Sequence, residues 1–141
     1  MPRPLYETPE QREANAKLAD EWGSKMGYQL DIAPKACLFD YYVRTPINQW
    51  GLAEMRVRSC EKDKHDTFFI SATKWKNLTQ LSERFHAPLF LVVRWNDGDG
   101  FFLWHGQKFG KGWGGRRACN VRDSYDQEEL IQIPIAEFRP F

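Results

Sequence analysis

Cysteine is scarce in this chain and unevenly placed. Cys37, Cys60 and Cys119 cannot all pair with one another, and no Cys-x-x-Cys or closely spaced Cys/His pair offers a structural zinc site. Long hydrophobic runs are also missing: no apolar stretch approaches the length that spans a bilayer, and Met1-Pro2-Arg3-Pro4 is not the apolar start of a secretion signal. These absences point to a reducing, cytoplasmic setting with no membrane partner. A charge excess is lacking too, since 20 basic and 19 acidic residues leave a net charge of +1, so the bulk charge announces no nucleic-acid binder. His65, His86 and His105 are scattered and none has a nucleophile in a recognisable motif, which argues against Ser/His and Cys/His hydrolases. There is no Gly-x-x-x-x-Gly-Lys-Ser/Thr loop.

What is present describes an ordinary globular protein. A chain of 141 residues with 42% hydrophobic residues is long enough to bury a core and reads as one domain over 1–141. Thr8-Pro9-Glu10-Gln11 carries a helix cap, a proline suited to the first helical position and a capping-box partner, so a helix is expected up to about Met26, ahead of Gly27. Ala14, Leu18, Trp22 and Met26 would form its buried stripe, with Glu21 at the edge, solvated or within reach of a neighbouring site. Strands are expected at 28–32, 36–43 and 52–58, the last alternating strictly so that Leu52, Glu54, Arg56 and Arg58 share a face. After the polar loop 61–66 comes an extended piece, 68–71. A second helix then carries Trp75, Leu78, Leu81 and Phe85 as its buried residues and ends near His86. Leu89-Phe90-Leu91-Val92-Val93 is apolar throughout, as a central strand is, and Asn96 to Gly100 makes the hairpin to a strand at 101–105. Pro134 places an edge strand, or the end of one, at 129–135. The expected fold is α/β (α+β), a mixed sheet flanked by helices in the core order αβββαβ, with C-terminal strands behind it.

Charge in the apolar middle of the chain is the feature that points to function. Asp40 sits among Phe39, Tyr41, Tyr42 and Val43, and Glu54 and Arg56 follow two apart on the next strand. If those strands pair, two carboxylates and a guanidinium meet, and hard oxygen ligands of this kind suit Mg²⁺ or Mn²⁺. Lys74, in the first turn of the second helix, works against the helix dipole, a local rule broken close to other charges. The spacing alone also accommodates a Glu54–Arg56 salt bridge, Lys74 in water and Asp40 capping a turn. Further on, residues 106–117 interleave glycine with Lys108, Lys111, Trp113, Arg116 and Arg117. That composition fits a loop that grips a nucleic-acid backbone modestly better than it fits a hairpin loop that is basic by chance.

In this order of elements, with Asp40 before the hairpin and Glu54-Met55-Arg56 after it, the stretch 8–95 resembles the core of the PD-(D/E)XK nuclease superfamily. That is the restriction-endonuclease-like fold, shared by restriction enzymes, resolvases and small phage nucleases. Ile70-Ser71-Ala72-Thr73-Lys74-Trp75, Leu91-Val92-Val93-Arg94 and Ile133-Pro134-Ile135 are similar to phrases in small phage or prophage nuclease-like proteins. The resemblance implies a metal-dependent DNA nuclease in which Asp40, Glu54 and the Met55 carbonyl hold Mg²⁺ or Mn²⁺ and DNA is the partner. Arg56 stands where the superfamily lysine belongs, and Phe39 where its proline belongs. Arginine can hold a phosphate by bidentate contact but cannot act as a base, so Arg56 substitutes, Lys74 assists from the helix, or the site no longer cuts. The last outcome would leave a DNA-binding or phage-assembly component; a protein-interaction module is a third reading, and a homodimer stands open.

Overall fold

The computed structural model describes residues 8–115 and 127–141. Helix α1 (Pro9–Met26) begins at Thr8, whose side chain accepts from the Gln11 amide while the Gln11 side chain accepts from the Thr8 amide. It stops at Gly27, whose φ of 70° lies in the left-handed region open to glycine. Strands β1 (Gln29–Ile32), β2 (Tyr41–Arg44) and β3 (Trp50–Val57) then run antiparallel to one another. Strand β4 (Thr67–Ser71) leads directly into helix α2 (Ala72–Phe85). Strands β5 (Leu89–Trp95), β6 (Gly98–Trp104), β7 (Gly110–Gly115), β8 (Gln127–Pro134) and β9 (Arg139–Pro140) complete the described chain.

Six strands form one mixed sheet in the order β1-β2-β3-β5-β6-β9, with only β3 and β5 parallel. The parallel pair lies in the middle because both of its faces are covered. On one face α1 lays Leu18, Ala19 and Trp22 against Val43, Ala53, Met55, Phe90 and Val92. Trp22 is fully buried, with the Phe90 ring centred 5.1 Å away. On the other face Leu52, Leu89, Leu91 and Val93 pack with Trp75 and Leu78 of α2 and with Phe68, Ile70, Ile131 and Ile133. Among the described residues no helix is long and apolar enough to cross a membrane.

Several local expectations change. The second layer contains a separate three-stranded sheet, β4-β8-β7, that the expected order did not contain. The glycine-rich segment read as a loop is in part strand β7, paired with β8 from Gly110↔Gln132 to Gly115↔Gln127. A Cβ on Gly112 would meet the end of the flexible Gln132 side chain, 2.6 Å from its amide nitrogen, which can move aside. Pro134 falls at the last residue of β8, where a missing donor interrupts no ladder. The strand expected from 36 starts only at Tyr41, so Asp40 stands at its entrance. In α2 the buried side is Trp75, Leu78 and Ser82, whereas Phe85, in the final turn, is 66% exposed. Glu21 is exposed as expected and also reaches across to Arg94, which holds Asp99 at 2.8 Å.

Trp22→Ala should therefore lower the free energy of unfolding by about 3–5 kcal/mol in guanidinium titrations. Phe85→Ala should change it by about 0.5 kcal/mol or less.

Candidate metal-binding cleft

The cleft, of about 850 Å³, is walled by the start of α1, the segment before β2, β3 and the first turn of α2. Its floor is the α2-facing side of β3. Alternation puts Glu54 and Arg56 on that side and Met55 on the α1 side, as the spacing predicts. Asp40 is brought to them by the antiparallel pairing of β2 with β3, which sets the Asp40 amide 3.1 Å from the Ala53 carbonyl. The Met55 amide in turn donates to Asp40 Oδ2 at 2.8 Å. Both of the carboxylate's contacts run through Oδ2, the second being Arg56 Nη1 at 3.9 Å.

Glu54 is fully buried, and it is the only charged side chain among the buried described residues. Its Oε2 is ion-paired with Arg56 Nη2 at 2.5 Å and Lys74 Nζ at 3.4 Å, while Oε1 has no such cation; neither oxygen has a hydrogen-bond partner among the described residues. Burial pushes the carboxyl up to about 7. The negative charge of Asp40 adds to that rise, and Arg56 and Lys74 oppose it. Lys74 reaches the site because β4 passes straight into α2: Ser71 accepts from the Lys74 amide as the helix cap, which fixes the side chain in the first turn beside Glu54. The dipole penalty noticed in the sequence is small, roughly 0.3–1 kcal/mol, against the cost of leaving a buried carboxylate without a second cation.

Arg56 makes the most telling contacts. Its guanidinium touches Glu54 Oε2, approaches Asp40 Oδ2 and donates to the Met55 carbonyl at 3.1 Å. These are the three groups expected to hold a metal. Two carboxylates and one carbonyl are hard oxygen donors, and the donorless Oε1 of Glu54 is the kind of buried atom that a cation would satisfy, so the residues fit a divalent ion. Among the described residues no group of three or more His, Cys, Asp and Glu surrounds one point, so the third protein ligand would be the carbonyl.

Arg58, which the sequence put on the same face, is a further cation lining the cleft, and spacing alone gave no sign of its anchoring. It stacks 4.6 Å over the Phe68 ring and donates to the Phe69 carbonyl at 3.2 Å, and burial lowers its pKa to about 10. Of the proposed basic loop, Lys108 and Lys111 do not line this cleft. Lys108 is exposed, Lys111 pairs with Glu129 at 3.5 Å, and the side chain of Trp113, with Arg116 and Arg117, lies outside the described residues.

The family model described as "Phage putative PDDEXK endonuclease" matches residues 1–141. Among solved structures, the chain is similar to Hjc, a Holliday junction resolvase of the archaeal hyperthermophile Archaeoglobus fulgidus. Identity is 10%, 88% of this chain and 93% of that one are covered, and the TM-score is 0.52. At that identity the likeness is one of fold, and the fold is the restriction-endonuclease-like one. No curated protein matches the chain.

The raised carboxyl sets a pH dependence. Between about 4.5 and 7 the folded chain holds a proton on Glu54 that the unfolded chain releases, so stability falls as pH rises through that window. In EDTA, wild type should lose roughly 2–4 kcal/mol relative to Glu54→Gln from pH 4.5 to 7.5, read from denaturant melts of both proteins.

Proposed function

The chain belongs to the phage PDDEXK endonuclease family, and on that premise we propose that it is a metal-dependent nuclease hydrolysing phosphodiester bonds in DNA. The observation that supports this most directly is that Asp40, Glu54 and the Met55 carbonyl all contact the Arg56 guanidinium in an open cleft, with a carboxylate oxygen of Glu54 buried there without a donor among the described residues. Mg²⁺ or Mn²⁺ bound by these three groups would supply Lewis-acid stabilisation of the phosphate and a bound water of lowered pKa. The chain's own residues do the rest. Asp40 is oriented by the Met55 amide, so its carboxylate is held in place before any ligand arrives. Lys74 keeps a positive charge beside Glu54 from a fixed helix turn and, in this reading, steadies negative charge on the reacting phosphate. Arg56, once turned from the carboxylates, offers the same phosphate two parallel N–H donors.

A second reading has one specific observation behind it: Arg56 already covers all three expected metal ligands. A guanidinium locked in that position would make the chain a nuclease-fold DNA-binding or phage-assembly component without cleavage. Metal affinity separates the two.

The expected outcomes are concrete. With plasmid, linear and single-stranded DNA in Mg²⁺ or Mn²⁺, Asp40→Ala and Glu54→Ala should each reduce cleavage by about a hundredfold or more. Wild type that cuts no faster than these variants would remove the catalytic reading. By calorimetry, Arg56→Gln should bind Mn²⁺ about tenfold tighter than wild type, because a competing cation leaves the oxygens. Equal affinities would show that Arg56 does not compete for them. Mn²⁺ binding absent from both proteins would establish the second reading.

A further inference from the structure

Beyond the metal ligands, the α2-facing side of β2 and β3 continues out from the cleft along the hairpin. The register sets Tyr42 opposite Leu52 and Arg44 opposite Trp50, so Tyr42, Arg44 and Trp50 share the face that carries Glu54 and Arg56. At two residues per repeat, Tyr42 stands one repeat, about 7 Å, along β2 from Asp40, and Trp50 two repeats, about 13 Å, along β3 from Glu54. Leu52, between them and the acids, belongs to the core under α2 and the small sheet, and past it the cover ends. Trp50 is 47% exposed and Tyr42 37%.

The rings form a graded series. Phe39 and Tyr42 meet edge to face at 4.9 Å, and Tyr42 and Trp50 edge to face at 6.5 Å. The Arg44 guanidinium lies 4.4 Å over the Trp50 ring, and its Nε is buried with no hydrogen-bond partner among the described residues. An exposed indole and phenol, a guanidinium Nε without an acceptor among the described residues and a strand face shared with two carboxylates are together costly for folding alone. Large aromatic rings left in water forgo burial, and a buried donor left unpaired costs free energy. One acid, Asp31 on β1, stands cross-strand from Tyr42.

We propose that Tyr42, Arg44 and Trp50 form a stacking site for unpaired nucleotides flanking the bond to be cut. The inference rests on the cleft being the nuclease centre. Bases present flat π-faces to which Tyr42 and Trp50 are matched, and stacking needs bases freed from a duplex. Arg44 supplies a donor and a positive charge to the adjoining phosphate. With stacked nucleotides rising about 3.4 Å each, the site would hold the second to fourth nucleotide from the scissile phosphate. The substrate class is accordingly DNA with a single-stranded segment next to the cleavage point, such as a flap, a tail or an unpaired strand.

The test is binding of a fluorescein-labelled oligothymidine and of a blunt duplex to the full chain in EDTA, followed by anisotropy and by tryptophan quenching. Tyr42→Ala and Trp50→Ala should each weaken oligothymidine binding roughly tenfold. Trp50→Phe should retain most of the affinity, and Arg44→Gln should lower both affinity and its salt dependence. Asp31→Asn should tighten binding, and the duplex should be affected several-fold less throughout. Thermal melts establish that the variants fold. Oligothymidine binding that is indifferent to both alanine variants, while wild type cleaves DNA in Mg²⁺, overturns the stacking site and leaves the nuclease reading intact. Stacking without cleavage keeps the site and removes the chemistry. A dimer in sedimentation that dissociates on Trp50→Ala, with oligothymidine binding unchanged, overturns the proposal and gives the strip to a second copy of the chain.

Discussion

A carboxylate with no access to water is the constraint around which the functional half of this protein is arranged. Glu54 lies under the first turn of α2, and burial raises its pKa to about 7. Coulombic attraction in such a place is strong, but taking the charges out of water costs as much or more, so an ion pair there is weak evidence of stability. The arrangement that results is nonetheless specific. Arg56 follows two residues later on the same face, and Lys74 is delivered by the cap of the next helix, so two cations from different elements converge on one oxygen. The second oxygen is left with no donor, a defect that folding alone does not account for and that a cation would repair.

Coverage of the sheet decides where such a site can form. Strands β3 and β5 are apolar on both faces because α1 covers one and α2 with the small sheet covers the other. The same two layers end short of the β2–β3 hairpin, so β3 passes from a sealed core at Leu52 to an exposed indole at Trp50 within two residues. Asp40, Glu54 and Arg56 stand near this boundary, open enough to line a cleft and buried enough for charge to be felt strongly. Tyr42 and Trp50 lie on its open side.

Short-range chemistry was legible in the residues. The capping box and Gly27 marked both ends of α1, the unbroken apolar run of β5 marked a central strand, and period-two alternation put Glu54 and Arg56 together. Lys74 was recognisable as an anomaly because it opposed its own helix dipole. Where the reading failed or left a choice open, the deciding contacts were long-range. Glycine and lysine at 110–115 resemble a loop until β8 supplies a partner strand. Phe85 fits the helical stripe, but none of the described residues covers it in the final turn of α2. Glu21 and Arg94 are far apart in sequence, and only the packing of α1 on the sheet joins them.

By itself, then, the sequence determined which residues can carry charge on one strand face and where the local elements start and stop, because caps, alternation and turn chemistry act over a few residues. Only the tertiary structure decided that Asp40, Glu54 and the Met55 carbonyl meet around the Arg56 guanidinium, with Lys74 on the same Glu54 oxygen. It likewise decided that the aromatic residues of the hairpin stay outside the core. Both depend on the register between strands and on where a covering layer ends, which are properties of pairs of elements rather than of any one stretch of chain.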